Sequence, residues 1–440
     1  MIKFPSLSRF FGSAQPVPAQ YQSNFFHLYQ DMTWFGMLTG SSLAYLTIYA
    51  ARLGASGQQV GLISAAPAII NLLFALPAGH WLEKQVLNKA VFTTSLLNRI
   101  FYLFLVPLPW LLGDQGQVWV LIVFTLLMSI PGTYLSMGFN ALFADAVPAE
   151  WRGHVAGVRN AGYSLMTVAT SVVCGFVLAH FSFPVGYQIV FLIGYVGAMM
   201  SSYHLFHVHQ IPEPMLIPQV KNPVKWLNLG VLNFTMNGLR SGISLRPFSR
   251  FFRRDMLRLE ILRSPFGQVL AVLFFFHLSQ YLAIPVFPIY QVNVLHLTDQ
   301  VISLGNALFY GTMFFGSIQL ARLSGRLGHK KVTGWGVVLL AIYPALLSIS
   351  YTVALFLITS LLGGLAWSLV GGALYNYLLE RVPAEDRPAH LAWYNLILNT
   401  AILLGSLGGP LLGSLTGLAV ALVTFAALRF LAGVVILKWG

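Results

Sequence analysis

Residues 25–30 read FFHLYQ and residues 275–280 read FFHLSQ. Five of the six positions agree across a separation of 250, and each copy opens into a long apolar run. Two further echoes keep the same order. GHWLEKQVLNK begins at Gly79, and ARLSGRLGHKK begins at Ala321, 242 positions on. DAVPAEWRGH begins at Asp145, and ERVPAEDRPA begins at Glu380, an offset of 235. Offsets that shrink in order are those of a duplicated unit that has lost a few residues. The chain reads as two copies of one structure.

Composition sets the solvent of that structure. The chain has 440 residues, 57% of them hydrophobic and 8% charged, against about 25% charged in soluble domains. Its apolar runs reach the roughly 20 residues that cross a bilayer as helix. Backbone amides in lipid must be satisfied within the segment, which selects helices. The period-two alternation of a barrel is absent. The reading is an all-α polytopic membrane protein with twelve transmembrane helices. The expected spans are 25–50, 60–82, 90–112, 118–142, 154–181, 185–207, 266–291, 301–323, 332–350, 353–379, 390–415 and 418–437. The single long link, 208–265, divides the chain into a tail (1–24), a six-helix half (25–207), a linker and a second six-helix half (266–440). The halves are expected to be pseudo-symmetric about an axis along the membrane normal.

Basic residues give the orientation. Twelve spans place both termini on one side, which carries 21 of the 25 Lys and Arg; the other side carries Arg52 alone. By the positive-inside rule both termini are expected to be cytoplasmic, in a cytoplasmic (plasma or inner) membrane. The net charge of +13 then reflects topology and anionic lipid, not nucleic acid. Residues 1–20 lack the features of a cleavable signal. Cys174 is the only cysteine, so no intrachain disulfide can form. Within the linker, 240–263 mixes basic and apolar residues. It is expected to lie on the cytoplasmic interface with Phe251, Phe252, Met256 and Leu259 toward lipid.

The doubled halves and their loops resemble the major facilitator superfamily of secondary transporters. That family's motif between spans two and three runs Gly, three residues, acid, base, one residue, Gly, then bases. Gly79, Glu83, Lys84 and Lys89 match it in kind, with Val86 at the second glycine. The second half keeps Arg326, Gly328, Lys330 and Lys331, with Gly325 in place of the acid. The loops that carry Arg152 and Arg387 resemble the family's loops after spans four and ten. The resemblance implies a monomeric transporter of a small solute that works by alternating access, without covalent chemistry or a bound cofactor. Proton-coupled efflux, driven by a proton gradient, is one version. It also implies a cavity lined by spans 1, 4, 7 and 10, with 2, 5, 8 and 11 beside them and 3, 6, 9 and 12 as scaffold. Gly79, Glu83, Lys84, Arg152, Arg326, Gly328 and Arg387 become gating candidates. The alternatives are a polytopic enzyme acting on lipid, which would need clustered interfacial acids or nucleophiles, and a transporter-like sensor.

Asp31 is the only acid inside any expected span. A carboxylate there either works at a cavity, as a proton or cation site, or pairs with a buried base. Tyr281 stands at its place in the second half. His27 and His277 are placed at the lip of their spans, as amphipathic rings. The HLFHVH run ending at His209 lacks acidic or cysteine companions for a metal. Arg99, Arg159 and Arg429 lie inside spans and are expected to snorkel as structural residues, with Arg159 the one worth testing.

Asn160, Ser164 and Thr167 recur at helical spacing, as do Asn395 and Asn399. Such faces either bond another helix or meet water. With Tyr163 and Tyr394, and with Trp34, Tyr134, Tyr310, Trp367, Tyr375 and Asn376, they define a candidate aromatic, uncharged substrate cavity. GSLGGPLLG, 405–413, reads as a close-packing stretch with a proline kink.

Overall fold

The computed structural model describes residues 17, 19–148, 150–211, 258–383 and 386–440. Most of the tail and linker, including Phe251, Phe252 and Met256, therefore lies outside the described residues. Leu259, expected at lipid, is exposed.

Twelve helical rods run in sequence. The first, α1, combines Ala19–Leu38, a π-turn at Thr39–Leu43 and Ala44–Arg52. Next come α2 (Gly57–Leu82), α3 (Leu87–Arg99, Phe101–Phe104 and Leu108–Leu111), α4 (Asp114–Ala146), α5 (Arg152–His180) and α6 (Val185–Phe206). The second half opens with α7, made of Pro265–Ala283, Val286–Ile289 and a π-turn at Tyr290–Val294. Then follow α8 (Asp299–Leu327), α9 (His329–Leu340 and Ile342–Leu347), α10 (Val353–Arg381), α11 (Arg387–Thr416) and α12 (Leu418–Trp439).

Among the described residues, ten helices are long and apolar enough to cross a membrane. The other two expected spans are α1 and α3, and each has a local reason. The first is one continuous rod, but Gln22, Asn24, His27, Gln30 and Asp31 make its start polar, and Thr39, Ser41, Ser42 and Thr47 dilute the apolar stretch that follows. The second breaks where Pro107 and Pro109 remove backbone donors.

The duplication is visible in the packing. In the first half α1 packs on α5 and α6, and α4 on α2 and α3; in the second, α7 packs on α11 and α12, and α10 on α8 and α9. Both π-turns fall at matching places, 39–43 and 290–294. Between the halves, α5 packs on α8 and α2 on α11.

Lipid tails are as apolar as leucine, so helix association rests on close packing and interhelical hydrogen bonds rather than on the hydrophobic effect. The α1–α5 seam shows both. A Cβ on Gly36 would sit 2.5 Å from the Tyr163 carbonyl oxygen, and one on Gly40 would sit 2.5 Å from that of Thr167. Where the backbones meet, Thr167 Oγ1 donates to the Gly36 carbonyl at 3.2 Å.

Candidate functional site

The described structure has two unlike faces. One carries the starts of α1 and α7 and the end of α12; it is called the terminal face here. On the opposite face the two halves are bolted together. Arg52, the last residue of α1, places Nε 3.0 Å and Nη2 2.9 Å from Oδ1 of Asp299, the first residue of α8. Arg52 Nη2 also donates to the Leu297 carbonyl. About two turns deeper, the Tyr45 hydroxyl and Ser303 Oγ hydrogen-bond across the same seam. The α2–α11 crossing is tight there as well, since a Cβ on Gly61 would lie 2.4 Å from the Ser406 carbonyl oxygen. This stretch includes the GSLGGPLLG segment, which closes the seam.

Beneath that seal lies a cavity of about 260 Å³ between the halves. Its first-half wall comes from the α1 π-turn region, including Thr39 and Thr47, with Ser64 of α2 and Thr125 of α4. Its second-half wall comes from Gln280, Tyr281 and Gln291 of α7, Asn306 and Tyr310 of α8 and Trp367 of α10. Tyr343 of α9 and Arg429 of α12 also reach it. Among the described residues, the wall contains no acidic one.

The expected substrate residues divide on this geometry. Tyr310 and Trp367 line the cavity. Asn160, Tyr163, Tyr394, Asn395 and Asn399 do not, because α5 and α11 are occupied as seams. Asn399 Oδ1 accepts from Asn71 Nδ2 at 3.2 Å, and Asn71 Oδ1 accepts from Thr133 Oγ1 at 2.6 Å, a chain that ties α4 and α2 to α11. The Tyr394 hydroxyl lies 3.1 Å from His277 Nε2. Trp34, Tyr134, Tyr375 and Asn376 are half-buried and also lie off this wall. Tyr134 packs edge-on against Trp81, and Asn376 donates to the Gly372 carbonyl of its own helix at 3.4 Å. The expectation of an uncharged cavity is corrected by Arg429, and the assignment of α12 to pure scaffold is corrected with it.

Sequence reasoning missed Thr39, Ser64, Gln280, Gln291, Asn306 and Ser360. One signal was available: Gln280 ends the doubled hexapeptide, and Gln291 follows it by three helical turns on α7.

The charged residues inside the spans do not snorkel. Arg99, Arg159 and Arg429 are 0–1% exposed. Two of them converge on Asp31, which is itself fully buried. Arg159 Nη2 lies 3.4 Å from Asp31 Oδ2, and Arg99 Nη2 lies 3.9 Å from Oδ1. Ser201 Oγ of α6 donates to Oδ1. Arg99 Nη1 donates to Ser202 Oγ at 2.7 Å and to the Ala198 carbonyl at 3.1 Å. Phe139 and Phe143 of α4 cover the Arg159 guanidinium at 4.6 and 5.2 Å. Asp31 thus joins α1, α3, α5 and α6 inside the first half and is not on the cavity wall.

The histidines separate too. His277 is 2% exposed and lies twelve residues into α7, not at its lip. His27 stacks on His207 with centroids 4.9 Å apart, and its Nδ1 lies 3.0 Å from Nδ1 of His204. The fold joins what the sequence had scattered between residue 27 and the HLFHVH run.

The gating candidates lie at the helix ends and loops of the terminal face. Glu83, Lys84, Arg326, Gly328 and Arg387 are exposed. Gly328 closes α8 at φ 81°, a backbone region that favours glycine. A Cβ on Gly79 would meet Met137 at 3.6 Å, and one on Gly325 would meet nothing within 4 Å. Arg152 instead serves its own half, donating to the Val147 and Ala144 carbonyls at the end of α4, a favourable place for a cation. The start of α11 holds Asp386, which pairs with Arg258 at 2.9 Å.

Two six-helix halves that share a cavity, sealed at one face, define a multi-pass membrane transporter. The sequence matches the Major Facilitator Superfamily over residues 32–263 and 269–440, and the chain belongs to that family. The xylose transporter XylE from E. coli, in a partially occluded inward-open conformation, superposes with a TM-score of 0.66 at 14% identity, covering 94% of this chain and 97% of its own. The nucleoside transporter NupG gives 0.63 at 12%, covering 94% and 98%. A bacterial homologue of the human lysosomal transporter Spinster, inward-facing and unoccupied, gives 0.61 at 15%, covering 96% and 99%. These likenesses are of fold. No curated protein matches the chain in sequence.

Proposed function

We propose that this transporter moves a small solute through the 260 Å³ cavity, and that the conformation described is the inward-facing one. The observation that carries this is the Arg52–Asp299 bolt above the cavity, opposite exposed gating loops. Alternating access requires the bolt to part as the terminal face closes. With 21 of 25 basic residues on the terminal side, that face is the cytoplasmic one in a plasma or inner membrane. The chain acts as a monomer, binds no nucleic acid and performs no covalent step.

Proton coupling has a specific place in this reading. His204 lies one helical turn from Ser201, which bonds Asp31, and His27 leads from His204 toward the terminal face. Asp31 itself, however, lies between two guanidiniums and off the cavity wall. The geometry therefore supports a structural ion cluster more than a proton carrier. Purified protein in proteoliposomes tests the reading. Solute flux down its own gradient is expected without any pH gradient, and flux that appears only with an imposed pH gradient would restore proton coupling.

The terminal-face latch is a second expectation. In the closed state Glu83 meets the start of α11, where a carboxylate gains roughly 0.3–1 kcal/mol, up to about 2 when partly buried. Gly325 has no side chain to make the equivalent contact. Glu83→Gln should therefore raise labelling of a single cysteine in the terminal half of the cavity, in a Cys174→Ser background. Unchanged labelling, with an increase from Arg326→Gln instead, would place the latch in the second half.

A further inference from the structure

We propose that the solute is a small organic monoanion, a carboxylate whose charge is received by Arg429. The proposal rests on the transport reading of the cavity and adds the chemical class of what enters it.

Arg429 lies eleven residues into α12 and is 1% exposed. Its guanidinium reaches the Leu340, Ser279 and Gln280 carbonyls at 3.4, 3.5 and 3.2 Å. These are long for N–H···O bonds, which centre near 2.9–3.0 Å. Its Nε has no partner, and no ion pair among the described residues includes it. A buried, uncompensated cation is costly, and inside a membrane such a group marks a functional site with a partner to be named.

The other half shows what is missing. There Arg99 spans the α3–α6 seam and finds a carboxylate on α1, Asp31. In the second half Arg429 spans the corresponding α12–α9 seam and reaches α7. Residue 281, the counterpart of Asp31 in the repeat, is tyrosine and lines the cavity. Arg429 is not the repeat copy of Arg99, which sits on α3 rather than α6, but it spans the same seam, and the α7 position that matches Asp31 offers it a tyrosine in place of a carboxylate.

The wall sets the rest of the chemistry. Among the described residues, Arg429 is the only charged one on it. Gln280, also on the wall, has an Oε1 that is buried without a partner, an acceptor for a hydroxyl or amide on the solute. One cation balances one negative charge. A phosphate monoester, with roughly −1.5 to −2 at neutral pH, would leave charge unpaired. An amino acid would bring an ammonium to a wall without an acid. A carboxylate also suits the paired N–H geometry of a guanidinium. At about 260 Å³ the cavity sits just below the usual range for ligand sites, about 300–1,000 Å³, which fits a small acid.

The test uses the full-length protein in detergent and in proteoliposomes. Lactate, gluconate and quinate are compared with lactamide and glucose by thermal shift and by flux. The acids should stabilise the protein and the neutral analogues should not. Arg429→Gln should weaken acid binding at least tenfold. Since that variant changes a buried charge, Gln280→Glu provides a near-isosteric second test. It places a carboxylate on the same wall and should give a folded protein that no longer binds the acids. The proposal is overturned if acids and neutral analogues stabilise alike, if none of the acids binds, or if either folded variant binds them as the wild type does. The transport reading is judged separately by the opposite-face labelling described below, which needs no solute.

Discussion

Replacing Asp31 with alanine is expected to destabilise the first half by about 3–5 kcal/mol, the usual cost of removing one partner from a buried ion pair. Arg159 and Arg99 would keep their charges in a site with 0–1% exposure. Arg99 would retain Ser202 and the Ala198 carbonyl, while Arg159 would keep the Leu28 carbonyl and two phenyl faces. The prediction is a large drop in thermal midpoint and in the yield of monodisperse protein. Pairing Asp31→Ala with Arg159→Met should recover much of the loss, since buried ion groups can be replaced by apolar ones of similar volume at little cost. Asp31→Asn distinguishes the roles. A variant that melts like the wild type, yet loses only gradient-driven accumulation, would make Asp31 a proton site and sink the structural account.

The second large effect is expected at the bolt. Arg52→Ala removes two charge-assisted bonds to Asp299 and one to the Leu297 carbonyl. Hydrogen bonds to charged groups contribute about 1.5–3 kcal/mol. The side chains here are 25% and 17% exposed, so solvent screening favours the lower end. About 1.4 kcal/mol is a tenfold change in an equilibrium. The open population of the opposite face should rise by about that factor. A cysteine at Thr47, on the cavity wall, should react correspondingly faster with an impermeant maleimide added from that face. Asp299→Ala should do the same, and the double variant should add little, because both remove one interaction. Equal rates in Arg52→Ala and wild type would mean that the bolt does not hold this face shut.

The order and extent of the helices were legible, although the depth of His277 was not. Hydrocarbon thickness and a rise of 1.5 Å per residue tie sequence length to depth, and the repeated FFHL–Q, loop and VPAE segments marked where the second copy begins. The twelve rods, the six-plus-six division and the matching π-turns follow that register. The tertiary structure decided which way each side chain points around its helix. In water an amphipathic stripe reveals the buried face. In lipid both the packed face and the outer face are apolar, so the angular signal is nearly flat. Asn160 and Thr167 were visible as a polar face of α5, but only the contact of Thr167 with the Gly36 carbonyl shows that face meeting α1. Asp31, Arg99, Arg159 and Ser201 are spread over 170 residues, and only the packing of α1, α3, α5 and α6 makes them one cluster. The same holds for Arg429. Its charge was plain in the sequence, but that it faces the cavity and has no carboxylate beside it depends on how α12 turns against α7 and α9.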